Sequence, residues 1–598
     1  MERYYLWAKP VYMKNRFNDL KIWILACAIL FVYPNFSYAQ GGNILIKIGV
    51  TTDVHGAYFA NDWYTGKPLS GSLAQVSAWA KEQRAVKGQT VILLDNGDLI
   101  QGDPASYFSN FMDRSKPNIA ARILNFMGYE AGTVGNHDLE AGHAVYDKLN
   151  KEFNFPWLSA NSVKTGIGDS WFKPYTILVH SGIKIAVLGL TTPKVPDWLP
   201  PALWSGMEFR DMIETARKWV EYIQKNEKPD LLVGLFHAGV DANYGNQQAG
   251  KTLNENASSL VAQQVPGFDI VFTGHDHRTW NLRVANTNGD SVLLLGSESR
   301  ASEISVATIQ FKRKGKKISE PSVSGSHEAM KNYSPDADFA RQFSGYIDSV
   351  QQYVDQPVGT ITHTITSDGA YFGPTEFVDL IQRAQLEMTG ADISFTAPLS
   401  FRATIAQGPI TVKDLFRLYR FENQLYTINL TGSEILGYLN YSYSLWMKTM
   451  TKADDQLLNM DQQPDGSWRL KNAYYNFDSA AGIDYTVDLT LPVGQMVKIT
   501  QMTGGQAFDP AKMYKVALNS YRGSGGGNHL LRGAGLSKDE VAKRLISSSD
   551  MDFRYLLTEW IRKQGTINPV CKNNWKIIPE SLSGEASRRD GLRLFTVK

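Results

Sequence analysis

"FDIVFTGHDH", Phe268–His277, decides how this chain is read. An apolar run rich in β-branched and aromatic residues stops at Gly274, and two histidines, His275 and His277, follow it. The run is short for a helix and suits a strand buried on both faces. The same pattern recurs in "ILIKIGVTTDVHG" (44–56), "TVILLDNGD" (90–98), "EAGTVGNHD" (130–138), "IKIAVLGLT" (183–191) and "DLLVGLFHAG" (230–239). Helical patterns such as "SLAQVSAWAKEQRAV" (72–86) lie between several of them. Continuous Val/Ile/Leu runs alternating with helices predict an α/β layered domain from Asn43 to about Phe311.

In such a domain the carboxyl ends of the strands converge on one crevice. Five ends carry Asp53-x-His55, Gly97-Asp98, Gly135-Asn136-His137-Asp138, His237 and His275-x-His277. Each has a bland reading when taken alone: a capped turn, an asparagine in a left-handed conformation, a satisfied core histidine. Together they place five of the chain's ten histidines beside Asp and Asn at strand ends. Nitrogen and oxygen donors of this kind suit Zn, Mn, Fe or Co.

The remainder of the chain limits the answer. At 598 residues it is too long for one core, so two domains are expected. With 61 basic against 59 acidic residues, charge gives no argument for a nucleic acid polymer or an anionic membrane. Lys14, Arg16 and Lys21 precede the apolar run Ile22–Val32, and "SYAQ" closes the segment: a signal peptide is expected at 1–39, cut after Ala39. A periplasmic or secreted protein follows, with Cys27 leaving a lipid anchor as the alternative. Removing residues 1–39 leaves Cys571 as the one cysteine, hence no internal disulfide, and no further membrane-spanning segment in the mature chain. Composition turns polar at "KRKGKKISEPSVSGS" (312–326), and "DADFARQFSGYIDSVQQYVDQ" (336–356) predicts one amphipathic helix. The organisation read here is a catalytic domain over 40–332, a linker helix over 333–356, a second domain over 357–580 and a mobile polar tail over 581–598.

The order D-x-H, G-D, G-N-H-[DE], H, G-H-x-H resembles that of the calcineurin-like metallophosphoesterases. That resemblance implies a four-layer β-sandwich flanked by helices, and two divalent metal ions. Asp53, His55 and His277 would hold one ion, Asn136, His237 and His275 the other, and Asp98 would bridge them. Two cations about 4 Å apart clamp a phosphoryl group and activate water for in-line displacement. His137 would assist the leaving oxygen, with Asp138 or Glu140 as the carboxylate that orients it.

The second domain, mixed α/β, resembles the C-terminal substrate domain of the bacterial 5′-nucleotidase superfamily in "TGADISFTAPLSFRATI" (389–405), "ITVKDLFRLYRFENQLYTINLTG" (410–432), "YYNFDSAAGIDYTVDLT" (474–490) and "ALNSYRGSGGGNHL" (517–530). By that resemblance Phe421 and Tyr521 would sandwich a base. Arg402 and Arg420 would contact phosphate or base, or else be solvated surface arginines, and Asn423 and Asn519 would hydrogen-bond the base or cap turns. "APLSFRA", "YRFENQLY", "YNFDSAAGIDY" and "DWYTGKP" (62–68) are similar to the periplasmic 2′,3′-cyclic-nucleotide 2′-phosphodiesterase/3′-nucleotidases. The activity implied is opening of a 2′,3′-cyclic nucleotide and hydrolysis of the resulting 3′-nucleotide by a monomer whose lobes rotate. A 5′-nucleotidase or UDP-sugar hydrolase, a cyclic-dinucleotide phosphodiesterase and a non-catalytic nucleotide-binding surface protein remain as alternatives.

Overall fold

The computed structural model describes residues 42–595 apart from 245–247, 249, 315–316 and 464–465; the signal segment expected at 1–39, with Cys27, lies outside the described residues. The first domain is built on two facing sheets. In one, Gly42–Thr51 lies between Glu303–Lys314 and Gln89–Asp95, which is followed by Tyr129–Thr133 and Trp157–Leu158. In the other, the order is Trp280–Ala285, Ser291–Gly296, Ile270–Thr273, Leu231–His237, Ile183–Thr191 and Tyr175–His180. Ile46, Ile48, Ile92 and Leu94 meet Ile185, Val187, Val233, Leu235 and Phe272 between the sheets, all fully buried. Burial on both faces is why these strands read as unbroken apolar runs. Helices Leu73–Ala85 and Ile119–Met127 cover one outer face, and Met212–Asn226 and Ser258–Gln264 the other. The result is the four-layer α/β sandwich the sequence implied.

Parallel register brings the strand ends level. Thr51 lies opposite Asp95, Asp95 opposite Gly132, Thr191 opposite His237 and Phe236 opposite Thr273. Each donor motif therefore starts at one edge of the sandwich.

Helix Ala337–Val354 follows, capped by the Asp336 carboxylate, which also pairs with Lys81 at 2.7 Å. Its Phe339 and Phe343 pack onto Phe59 and Phe126 of the first domain. The second domain centres on a five-stranded sheet ordered Ser479–Ala481, Ile393–Thr396, Met513–Asn519, Gln424–Thr431 and Leu545–Asp552.

The tail expected to be mobile is instead the helix Glu580–Phe595. Ser583, Ala586 and Asp590, on one helical face, are buried against the second domain, and Asp590 accepts from the backbone N–H of Leu457 and Leu458 at 2.8 and 3.0 Å. Among the described residues no helix is long and apolar enough to cross a membrane.

The two domains meet around Arg554. Its guanidinium is buried, pairs with Glu422 at 3.0 Å and lies 4.4 and 3.9 Å from the ring centres of Tyr107 and Phe416. The Tyr107 hydroxyl donates to Asp552 at 2.7 Å, and Arg417 donates to the Tyr64 carbonyl at 2.9 Å.

Candidate functional site

The seven residues expected to bind metal converge at the level edge of the sandwich. Asp53, His55, Asp98 and His277 form one donor group, and Asp98, His237 and His275 a second, so Asp98 belongs to both. The backbone is bent to achieve this. Asp53, His55, Asp98, His275 and His277 all adopt positive φ, between 48° and 73°. Non-glycine residues hold that conformation only where the surroundings enforce it, and such strain collects at functional sites. Gly135 is required by close approach, since a Cβ there would lie 2.1 Å from Asp98 Oδ1.

Proton accounting shows what the cluster lacks. His237 Nδ1 faces the Asn96 carbonyl at 2.7 Å and donates to it, which leaves Nε2 a bare acceptor. That Nε2 sits 3.1 Å from Asp98 Oδ2 and 3.2 Å from Asn136 Oδ1. His55 repeats the arrangement, with Nδ1 against Gln101 and Nε2 3.1 Å from His277 Nε2. Asp98 Oδ1 accepts from the His137 backbone N–H at 2.8 Å, so Oδ2 is the atom turned to both groups. Imidazole nitrogens and carboxylate oxygens converge within a few ångströms of one another, and this donor set fits divalent metal.

His137 and the two candidate carboxylates separate cleanly. His137 Nδ1 lies 2.6 Å from Glu140 Oε2. Burial works against a proton on His137, but the charges of Asp98 and Glu140 outweigh it and raise the imidazole to about 9. Asp138 does not orient His137, which corrects that alternative. Its carboxylate accepts from the backbone N–H groups of Gly135, Asp98, Leu99 and Ile100 at 2.8 to 3.2 Å and so fixes the loop that presents Asp98.

His275 Nε2 lies 3.1 Å from Glu255, and its ring stacks on Trp198 at 5.3 Å. Neither neighbour was anticipated. Trp198 ends the four-residue helix Val195–Trp198 and Glu255 lies in a turn, segments too short for a periodic signal, and only the fold brings them to His275.

In the second domain, Phe421 and Tyr521 each meet the edge of a third ring, Tyr475, at 5.6 and 6.3 Å. Tyr475 was present in "YYNFDS" but not singled out. One buried guanidinium organises the set. Arg522 forms two bonds of 2.9 Å with Asp478, donates to the Tyr475 carbonyl at 2.7 Å and lies 5.2 Å from the Tyr521 ring centre. Burial opposes the Asp478 charge, yet Arg522 outweighs it and holds the carboxyl below its ordinary value. A Cβ on Gly526 would lie 2.4 Å from the Tyr521 ring, which explains the glycine there. Glu255 and Tyr244 act electrostatically on both Tyr475 and Tyr521, and Glu140 on Glu422 beside Phe421. The glycine loop after Tyr521 also reaches the first domain near His275: a Cβ on Gly525 would lie 3.8 Å from the Asp197 carbonyl, next to the Trp198 that stacks on His275.

The remaining candidates also have contacts within the protein. Arg402 turns to the C-terminal helix, donating to the Phe595 carbonyl at 3.1 Å and lying 3.7 Å from Asp368. Asn519 caps the short helix Ser520–Gly523 by accepting from Arg522 N–H at 2.9 Å. Asn423 is buried, and its carbonyl accepts from Phe553 N–H at 2.7 Å.

Comparison with known proteins agrees with this geometry. Residues 46–279 match the family of calcineurin-like phosphoesterases, and residues 357–532 the 5′-nucleotidase C-terminal domain. The chain is 26% identical over 637 residues to the 2′,3′-cyclic-nucleotide 2′-phosphodiesterase/3′-nucleotidase of Haemophilus influenzae, covering 95% of this chain and 92% of that protein. It is 25% identical to the trifunctional nucleotide phosphoesterase protein YfkN of Bacillus subtilis, matching 90% of this chain but spanning only 39% of that longer protein. A Staphylococcus aureus structure described as a 5′-nucleotidase, solved with alpha-ketoglutarate, superposes with a TM-score of 0.73 at 20% identity, over 89% of this chain and 99% of its own.

Proposed function

We propose, from the premise that this chain belongs to the calcineurin-like metallophosphoesterases with a 5′-nucleotidase C-terminal domain and is a hydrolase of nucleotide phosphoesters, that it is an exported two-metal enzyme converting 2′,3′-cyclic nucleotides to 3′-nucleotides and then to nucleoside and phosphate. The observation that carries this reading is Asp98, whose carboxylate is shared by two groups of metal-type donors.

Asp53, His55 and His277 would hold one divalent cation, and Asn136, His237 and His275 the other, with Asp98 shared. When bound, the pair supplies positive charge to a phosphoryl group and to the water that attacks it. Asn136, a neutral donor, leaves more of that charge to the substrate. The base stacks between Phe421 and Tyr521, an arrangement tolerant of base identity because every base has a π-face. Water adds at phosphorus as the P–O2′ bond breaks, the proton it sheds passing to solvent, while His137, steadied by Glu140, hands its own proton to the departing 2′-oxygen and is reprotonated from solvent. The 3′-phosphate is then hydrolysed at the same place by the same groups.

Phosphate release with Mn²⁺ from 2′,3′-cyclic AMP, 3′-AMP and 5′-AMP, side by side, tests the reading. Rapid release from 3′-AMP, with the cyclic nucleotide opened to it, is expected. A clear preference for 5′-AMP overturns the regiochemistry and makes the chain a 5′-nucleotidase on the same centre.

A further inference from the structure

A cavity of about 690 Å³ opens between the domains, lined by Arg300, Arg402, Arg417 and Arg420 against only two carboxylates, Asp62 and Asp103. It adjoins the donor cluster. Gly102 in its wall neighbours His55, where a Cβ would make ordinary contact at 3.7 Å with the His55 Cβ, and the Arg300 backbone N–H donates to the Asp53 carbonyl at 2.8 Å. Arg420, in its wall, immediately precedes Phe421 in the chain.

The charges in this cavity are not balanced internally. Asp62 is engaged by its own turn, accepting from Tyr64 N–H at 2.8 Å and from the Thr65 hydroxyl at 3.0 Å. Arg402 is held by Asp368 and Phe595, and Arg417 by Asp414 and Tyr64. Arg300 touches Asp103 through one nitrogen, at 3.2 Å. The exposed Arg420 side chain makes no hydrogen bond or ion pair among the described residues, while its backbone carbonyl accepts from Arg554 at 2.9 Å. Arg300, Arg420 and Tyr64 all line this one cavity. Planar guanidinium groups with unused donors, set among aromatic walls, are suited to a phosphate.

We propose that this cavity is a second anion subsite, and that the substrates include nucleosides carrying two separate phosphate groups, one at the Asp98-centred donors and the other between Arg300 and Arg420. The inference rests on the nucleotide reading above and extends it to a substrate class. It does not depend on which phosphate is cleaved, because adenosine 3′,5′-bisphosphate presents one to each site in either orientation.

The test compares KM for adenosine 3′,5′-bisphosphate, 3′-AMP and 5′-AMP, with Mn²⁺, in the full chain and in Arg420→Gln. The bisphosphate is expected to show a KM at least tenfold below that of the better monophosphate, and Arg420→Gln to abolish that advantage. Equal KM values in the parent chain, or an equal loss for all three substrates in Arg420→Gln, overturn the subsite. If no nucleotide is turned over, the functional reading fails, and the subsite is judged by calorimetric binding alone. Tighter binding of the bisphosphate than of either monophosphate, lost in Arg420→Gln, upholds it; equal affinities refute it.

Discussion

Asp98 and His137 are bonded to each other through the backbone, yet their side chains are asked to do different things, and substitution separates them. Asp98 Oδ2 is turned to both donor groups, so Asp98→Asn removes the one charge they share. The purified variant is expected to lose bound divalent metal, measured by elemental analysis, together with activity. His137 contributes no atom to either group. His137→Gln is therefore expected to keep its metal and lose activity by about 10²–10⁴-fold, the usual worth of a general acid. Glu140→Gln should fall between that variant and the parent. Metal loss in His137→Gln would instead make this imidazole a ligand. These donors were legible in sequence because each follows a buried strand and so had to reach the shared edge. The division of labour between Asp138 and Glu140 was not: both stand within three residues of His137, and only the loop running back past Gly135 shows that Asp138 is consumed by four backbone donors.

The loops Tyr475–Asp478 and Tyr521–Gly526 are tied together by the single buried guanidinium of Arg522. Arg522→Ala leaves Asp478 buried without its partner and frees both rings of the slot, so KM for nucleotide should rise by an order of magnitude or more while bound metal is unchanged. Unchanged KM would disconnect the slot from substrate. Nothing in the sequence pointed to Arg522, because an arginine beside a glycine run reads as surface. Its burial arises from the pairing of Gln424–Thr431 with Met513–Asn519, a contact between distant segments. The C-terminal helix was misread for a similar reason: Ser583, Ala586 and Asp590 are polar or small, yet they form its buried face. His529 supplies a pH signature of the same region. Burial, and then the Arg522 charge, depress it from 6.5 to about 3. A depressed histidine contributes stability that is complete above pH 6.5 and lost as pH falls toward 3. Between pH 6.5 and 4.5 the parent should lose about 2–3 kcal/mol that His529→Gln does not, at about 1.4 kcal/mol per pH unit. Parallel denaturation midpoints across that range for the two proteins would refute this.

Turnover by this architecture asks the second domain to bring a base to a phosphate held by the first, and the interface around Tyr107 holds the domains in apposition. Trp198 stacks on His275, and the glycine loop after Tyr521 approaches the same short helix, where a Cβ on Gly525 would lie 3.8 Å from the Asp197 carbonyl. On the function proposed above, the apposed state would enclose substrate and would have to loosen for exchange with solvent, as expected of domains joined by a linker and a partly polar interface. Tyr107→Phe isolates one contact. The ring keeps its place under Arg554 and against Phe416, and only the hydroxyl bond to Asp552 is lost. A hydrogen bond to a charged acceptor is worth about 1.5–3 kcal/mol, and the lower figure alone shifts a two-state equilibrium roughly tenfold. KM is therefore expected to rise several-fold as the apposed state is depopulated. The same change should raise kcat if loosening limits product release, and in that case the dependence of kcat on solvent viscosity should weaken. Metal content should stay constant, because Tyr107 belongs to neither donor group. KM and kcat both equal to those of the parent, with an unchanged small-angle scattering profile, would mean that the two domains work as one rigid body and that substrate enters without any rotation between them.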